Sequence, residues 1–271
     1  IRAVFFDVGE TLIDESRMWR IWADYLGVSY ETFIAELEAV IGRGEHHRRV
    51  FDRFRPGFDL VSAQQELDAR SKRYRHEERD LYPDACPCLD ALRRSGCFVG
   101  IAGNQPREAR DELTAMRLGV DAITTSAELG AEKPSALFFA RLAQLCGLPP
   151  REIAYVGDRV DNDIVPVKTT GMAAIFLVRG PWGRVHASQA NANMADVRIT
   201  SLADVPAAIA LYRFPSAKEQ AASWLGGGKA AIAAKALAAT AEFQLSQKQI
   251  EKTLPDYSAV VNASYAAEVA K

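Results

Sequence analysis

Ala3-Val4-Phe5-Phe6-Asp7-Val8-Gly9-Glu10-Thr11 carries four apolar, β-prone residues straight into a carboxylate and a glycine-containing turn. The apolar residues do not alternate with polar ones, so both faces of this strand need cover, as in a parallel sheet. Runs of the same kind recur at Phe98-Val99-Gly100-Ile101-Ala102, Ala122-Ile123-Thr124, Ile153-Ala154-Tyr155-Val156 and Ala173 to Val178. Between them lie helical patterns at Cys86 to Ser95, Pro106 to Leu118 and Pro134 to Cys146. The last has Leu137, Phe138, Leu142 and Leu145 on one face and Pro134 near its first turn. Strands alternating with helices at this spacing predict an α/β fold with a doubly wound parallel sheet. Ligands of such sheets sit at the carboxyl ends of the strands.

Two stretches break this rhythm. Residues 15–80 are rich in Arg, Glu and aromatic residues at helical spacing, as in Trp19, Trp22, Ala23 and Leu26, then Phe33, Leu37 and Ile41. They are expected to form a small α-helical insertion. Beyond about Arg213 alanine takes over, with 16 in residues 216–271 and Gly226-Gly227-Gly228 near the front. Lys229 to Phe243 is a strong helix former, Ser246 to Thr253 and Tyr257 to Val269 read as further helices, and Leu254-Pro255-Asp256 separates them. The expected organisation is an α/β core from residues 1–14 and 81–213, a helical cap at 15–80, and an Ala-rich helical extension at 214–271. The extension reads as packing helices or an element for self-association, so a homo-oligomer stays open. The three glycines read as a linker, natural or an engineered join.

Composition excludes several classes. The chain has 271 residues, 48% hydrophobic and 25% charged, with 33 basic and 35 acidic side chains for a formal charge of −2. That argues against a strongly basic nucleic-acid face, and Lys229, Lys235, Lys248 and Lys252 are too sparse to make one. No apolar run approaches the ~20 residues of a membrane span. Cys86, Cys88, Cys97 and Cys146 do not make a disulfide scaffold, and Cys86-Pro87-Cys88 lacks zinc-knuckle spacing. Reduced thiols, no secretory leader and a cytoplasmic setting are expected.

The polar residues gather at the ends of strands. Asp7 leaves the first strand as a candidate nucleophile or metal ligand, although aspartate is also a common turn residue. Gly157-Asp158-Arg159-Val160-Asp161-Asn162-Asp163 follows another buried strand and places three carboxylates in six residues. Such a cluster repels itself unless a hard cation such as Mg²⁺ takes its oxygens. Lys133 in Glu132-Lys133-Pro134, expected at the mouth of the cleft, can offset clustered carboxylates and hold an anionic substrate. Gly103-Asn104 ends the second strand with small and amide groups suited to an anion.

In this order the four pieces resemble the motifs of the haloacid dehalogenase superfamily of aspartate-nucleophile hydrolases, over residues 1–213. Phe5 to Leu12 is similar to its first motif, Ile101 to Asn104 to the second, Lys133-Pro134 to the third and Gly157 to Asp163 to the fourth. The insertion falls where many members carry a helical cap, and Val178 to Gly183 is similar to phosphatase-like members. The resemblance implies a phosphatase acting on a small phosphorylated metabolite through an aspartyl-phosphate on Asp7. It also implies Mg²⁺ held by Asp7, the Gly9 carbonyl and Asp158 with support from Asp163, and a substrate met by Gly103, Asn104 and Lys133. Lys133 would share in catalysis.

Two positions depart from that pattern. The family's usual second aspartate, the general acid and base, is replaced by Gly9, and its usual Ser or Thr in the second motif by Gly103. Glu10, or His46 and His47 in the cap, are other titratable groups that could serve as proton donor. Gly9 and Gly103 also leave room for a non-catalytic binding module. A dehalogenase needs neither the second acid nor a metal, and the retained Asp158 and Asp163 speak against it.

Overall fold

In the computed structural model, residues 1–211 are described, and all lie in the first of two units into which the chain divides, Ile1–Tyr212. The expected extension at 214–271 lies outside the described residues. Strand β1 (Ala3–Phe6) is followed by four helices, α1 (Ser16–Leu26), α2 (Tyr30–Gly42), α3 (Arg49–Phe54) and α4 (Leu60–Ala69). The α/β alternation then resumes with α5 (Ala85–Arg94), β2 (Phe98–Gly103), α6 (Glu108–Ala115), β3 (Ala122–Thr125), α7 (Ser126–Leu129) and α8 (Ala136–Cys146). It continues through β4 (Ile153–Gly157), α9 (Val165–Thr169), β5 (Ala173–Leu177), α10 (Gly180–His186), β6 (Val197–Ile199) and α11 (Val205–Leu211).

All strand pairs are parallel, in the order β3-β2-β1-β4-β5-β6. This is the doubly wound arrangement that the uninterrupted apolar runs predict. In β1, Val4 and Phe6 point into one apolar layer while Ala3 and Phe5 point into the other, and all four are fully buried. Burying each Phe contributes about 1.5–3 kcal/mol, so β1 is anchored from both sides. Phe6 lies level with Ile101 of β2 and Val156 of β4, so β1 ends at the sheet's centre with a neighbour on each flank.

Local signals explain the helix ends. Ser135 accepts the N–H of Leu137 and starts α8 two residues after Pro134, while Gly147, at a φ of 66°, ends it. Pro134 follows a cis peptide from Lys133 and stands one residue before the N-cap Ser135, next to the first turn but outside it. Helix α6 stops at Ala115, short of the predicted Leu118; Arg117 takes a φ of 53° just beyond it. Strand β6 is short, with the polar Arg198 between Val197 and Ile199, and carries no sequence pattern that sets it apart.

Helices α1 to α4 share a separate apolar cluster built on Trp19, Trp22, Phe33, Leu37, Val40 and Phe51. Trp182 of α10 joins that cluster, and Arg184 of the same helix donates to Glu38 of α2. The two ends of the insertion are tied to each other by two backbone pairings: Asp14 N–H to the Asp80 carbonyl and Tyr82 N–H to the Leu12 carbonyl.

Candidate active site

The carboxyl end of β1 delivers Asp7 between its flanking strands, with its N–H donated to the Val156 carbonyl at 2.9 Å. Its side chain stays about one-tenth exposed. Lys133 reaches it from the loop before α8: Nζ lies 2.8 Å from Asp7 Oδ1 and 2.6 Å from Asp163 Oδ1. The sequence places Lys133 at the mouth of the cleft; the structure instead buries it, over the ring of Tyr155. Burial alone would depress its pKa, but Asp163 and Asp7 outweigh that and hold the ammonium well above its ordinary range.

Asn104 fixes this lysine. Its side-chain oxygen accepts the Lys133 N–H at 2.7 Å and its amide donates to the Lys133 carbonyl at 2.8 Å. The amide read as an anion contact is thus committed to the backbone of the lysine loop. Gly103, on the same strand end, is tight against the nucleophile, and a Cβ there would lie 2.6 Å from Asp7 Oδ1.

On the other flank, β4 runs into Gly157 and Asp158, then a single π-helical turn, Val160–Ile164, which turns Asp163 back under the strand end. Asp163 is fully buried with both oxygens engaged, one by Lys133 and the other by the Arg159 N–H at 2.9 Å. Gly157 permits this, since a Cβ there would lie 2.6 Å from Asp163 Cβ. Asp158 is different: its Oδ2 is buried without a hydrogen-bond partner among the described residues. Oxygens of Asp7, Asp158 and Asp163 all lie within 4.8 Å of one another. Burial, then the charges of Asp163 and Asp7, push the Asp158 carboxyl well above its ordinary range; burial pushes Asp163 to about 6, with Lys133 opposing. Buried carboxylates that resist ionisation, one with an orphaned oxygen, fit a hard divalent cation such as Mg²⁺.

The other titratable candidates fall elsewhere. Glu10, at a φ of 51°, packs against Gly180, and its Oε2 accepts the Tyr82 hydroxyl at 2.6 Å; burial raises its pKa to about 7. His47 stacks on His46 and meets the edge of Trp182. Burial, with the charges of His46 and Arg159, lowers its pKa to about 3, leaving it no proton to give near neutral pH. Sequence reasoning missed Glu15, at the N-terminus of α1, whose carboxylate occupies the space beside Gly9: a Cβ on Gly9 would lie 2.7 Å from Glu15 Cδ and closer still to Oε1. Burial, then the charges of Glu10 and Asp7, push its pKa well up. The readable signal was Gly9 itself, because a missing side chain in a packed site leaves a space that another group fills.

Comparison with known proteins gives one family. The sequence profile of haloacid dehalogenase-like hydrolases matches residues 1–168. A glyceraldehyde 3-phosphate phosphatase of Methanopyrus kandleri is 31% identical over 204 residues, covering 67% of this chain and 86% of that protein. A phosphoserine phosphatase of Thermus thermophilus is 30% identical over 103 residues, covering 37% of this chain and 41% of its own length. Among solved structures, an L-2-haloacid dehalogenase from Xanthobacter autotrophicus shares the fold, with a TM-score of 0.58 at 17% identity, over 78% of this chain and 98% of the other.

Proposed function

Because this chain belongs to the haloacid dehalogenase-like hydrolases, we propose that it is a phosphatase of small phosphorylated metabolites with Asp7 as its nucleophile. The observation that carries this reading is the bridge from Lys133 to both Asp7 and Asp163, beside the unpartnered oxygen of Asp158. A binding module would have no need of a nucleophile, a fixed lysine and an orphaned carboxylate at one strand end. The names of the two similar phosphatases support a small phosphate ester as substrate. Cys86, Cys88, Cys97 and Cys146 are all free thiols, which supports a cytoplasmic setting. Among the described residues no helix is long and apolar enough to cross a membrane.

The chemistry follows from charge and position. An Asp7 oxygen attacks phosphorus as the bond to the leaving oxygen breaks, giving an aspartyl-phosphate. Water then attacks the same phosphorus and restores the carboxylate. Lys133 holds Asp7 in place and adds positive charge where the phosphoryl oxygens gather it. Asp163 keeps Lys133 charged and aimed. Asn104 acts one step back, fixing the lysine's backbone. Mg²⁺, held by Asp7, Asp158 and the Gly9 carbonyl with Asp163 behind them, would neutralise charge on the transferring group.

The test is hydrolysis of p-nitrophenyl phosphate with and without Mg²⁺, for wild type and Asp7→Asn. Activity that depends on Mg²⁺ and vanishes in the variant supports the reading; activity indifferent to either refutes it. Turnover of 2-chloropropionate without metal, and of no phosphate ester, would favour a dehalogenase instead.

A further inference from the structure

We infer that Glu15 is the proton-transferring catalytic residue of this enzyme, its carboxylate standing where residue 9 has no side chain to offer. The inference rests on the phosphatase reading and names a residue for it.

The space beside Gly9 is already filled. A Cβ built on Gly9 meets the carboxylate of Glu15, with Cδ at 2.7 Å, Oε2 at 3.1 Å and Oε1 nearer than either. The carboxylate therefore fills the first position of the absent side chain, two residues past the nucleophile Asp7. It comes from the start of α1, the first helix of the insertion, and its backbone position explains the approach. Leu12, Ile13 and Asp14 form the outgoing limb, with Gly9 and Ile13 bridged, so the chain passes close by Gly9 as it enters the helix.

The side chain has no structural duty there. Glu15 occupies the N-cap position of α1 yet makes no cap hydrogen bond. The Ser16 N–H goes to Asp14 Oδ1 instead, at 2.8 Å. Among the described residues no hydrogen bond or ion pair holds the Glu15 carboxylate. A glutamate that forgoes capping its own helix, stays unpaired and leans on the loop after the nucleophile is placed for chemistry.

Among the described residues the other polar side chains close to Asp7 are committed elsewhere, Asp158 with the carboxylate cluster that would hold the cation. Glu10 is held by the Tyr82 hydroxyl and packs against Gly180, where a Cβ would lie 2.6 Å from Glu10 Cγ. Lys133 bridges two carboxylates, and the Asn104 amide is committed to the Lys133 backbone. In the first half-reaction an Asp7 oxygen bonds to phosphorus, the bond from phosphorus to the ester oxygen breaks, and the Glu15 carboxylic acid gives its proton to that oxygen, releasing the alcohol. In the second, the Glu15 carboxylate takes a proton from water as the water oxygen bonds to phosphorus. The bond from phosphorus to Asp7 breaks, phosphate leaves, and both carboxyl groups return to their starting states.

The experiment moves the carboxylate rather than only removing it. Wild type, Glu15→Gln, Glu15→Ala, and Glu15→Ala combined with Gly9→Asp are compared on p-nitrophenyl phosphate and on a simple alkyl phosphate. Release of the leaving group in the first turnover is the readout, and circular dichroism confirms folding. The expected result for Glu15→Gln is a loss of about 10²–10⁴-fold on the alkyl ester and a much smaller loss on the aryl ester, whose leaving group needs no proton. Gly9→Asp in the Glu15→Ala background should recover at least about tenfold on the alkyl ester, because the truncation frees the space the new side chain needs. Loss of equal size on both esters with no recovery marks a structural role and overturns the assignment, as does Glu15→Gln within about twofold of wild type on the alkyl ester. Should the double variant fail to fold, the ester dependence of Glu15→Gln decides alone. A wild-type enzyme that hydrolyses neither ester overturns the phosphatase reading itself, and this assignment with it.

Discussion

Asn104 grips Lys133 by both polar groups of its backbone, accepting its N–H at 2.7 Å and donating to its carbonyl at 2.8 Å. A long flexible side chain is thereby given a fixed root, and Asp7 and Asp163 fix its tip. Removing the grip leaves the charges but loosens their placement. Asn104→Ala is expected to lower kcat about 10–100-fold with little change in KM and to cost about 1–3 kcal/mol of stability. Steady-state kinetics and urea denaturation check it. A shift confined to KM would instead mean that the Asn104 amide touches substrate.

Lys133 itself is the sole cation within ion-pair distance of Asp7 and Asp163 among the described residues. Lys133→Met should abolish turnover and, in EDTA, lower the unfolding free energy by about 3–5 kcal/mol, since it strands buried carboxylates. Denaturation with and without Mg²⁺ measures this. A loss under about 1 kcal/mol would mean the carboxylates are compensated from elsewhere.

Gly103→Ser adds a hydroxyl at the end of β2, and here it should harm. Its Cβ would lie 2.6 Å from Asp7 Oδ1 and 3.1 Å from Val8 Cγ2, so the nucleophile must swing off its lysine. A fall in kcat of about tenfold or more is expected, read against wild type on the same aryl phosphate. A gain in activity would show that the strand end relaxes without moving Asp7.

His47 gives a pH prediction. Burial first, then the charges of His46 and Arg159, lower its pKa from an ordinary 6.5 to about 3. Between those values the unfolded chain binds the proton and the folded one does not, so its contribution to stability is lost as pH falls below about 6.5. Thermal melts of wild type and His47→Phe from about pH 7 to pH 5 check it: the wild-type Tm should fall more steeply. Parallel curves would mean that His47 takes up its proton as readily in the folded protein as in the unfolded chain.

Much of this architecture is legible in the sequence because the signals are local. Ala3 to Phe6 and Ile153 to Val156 are apolar on both faces, and that pattern alone requires a covered parallel strand. Asp7, Asp158 and Lys133 read as site residues because they follow such strands or precede the helix that packs beside them. What was not legible depends on three-dimensional neighbours. The depth of Lys133 is set by Asp163, which a π-helical turn folds back beneath β4. The commitment of Asn104 to the lysine loop joins residues 29 apart in the chain. The place of Glu15 follows from how the chain returns past Gly9, which no periodicity records.

The nucleophile is tested most directly by trapping it. Wild-type enzyme mixed with an aryl phosphate and Mg²⁺, quenched in acid within the first turnovers and digested, should yield a phosphoryl adduct on the peptide that carries Asp7. Asp7→Asn should yield none. Turnover without an adduct at Asp7, or with the adduct on another residue, would contradict the account.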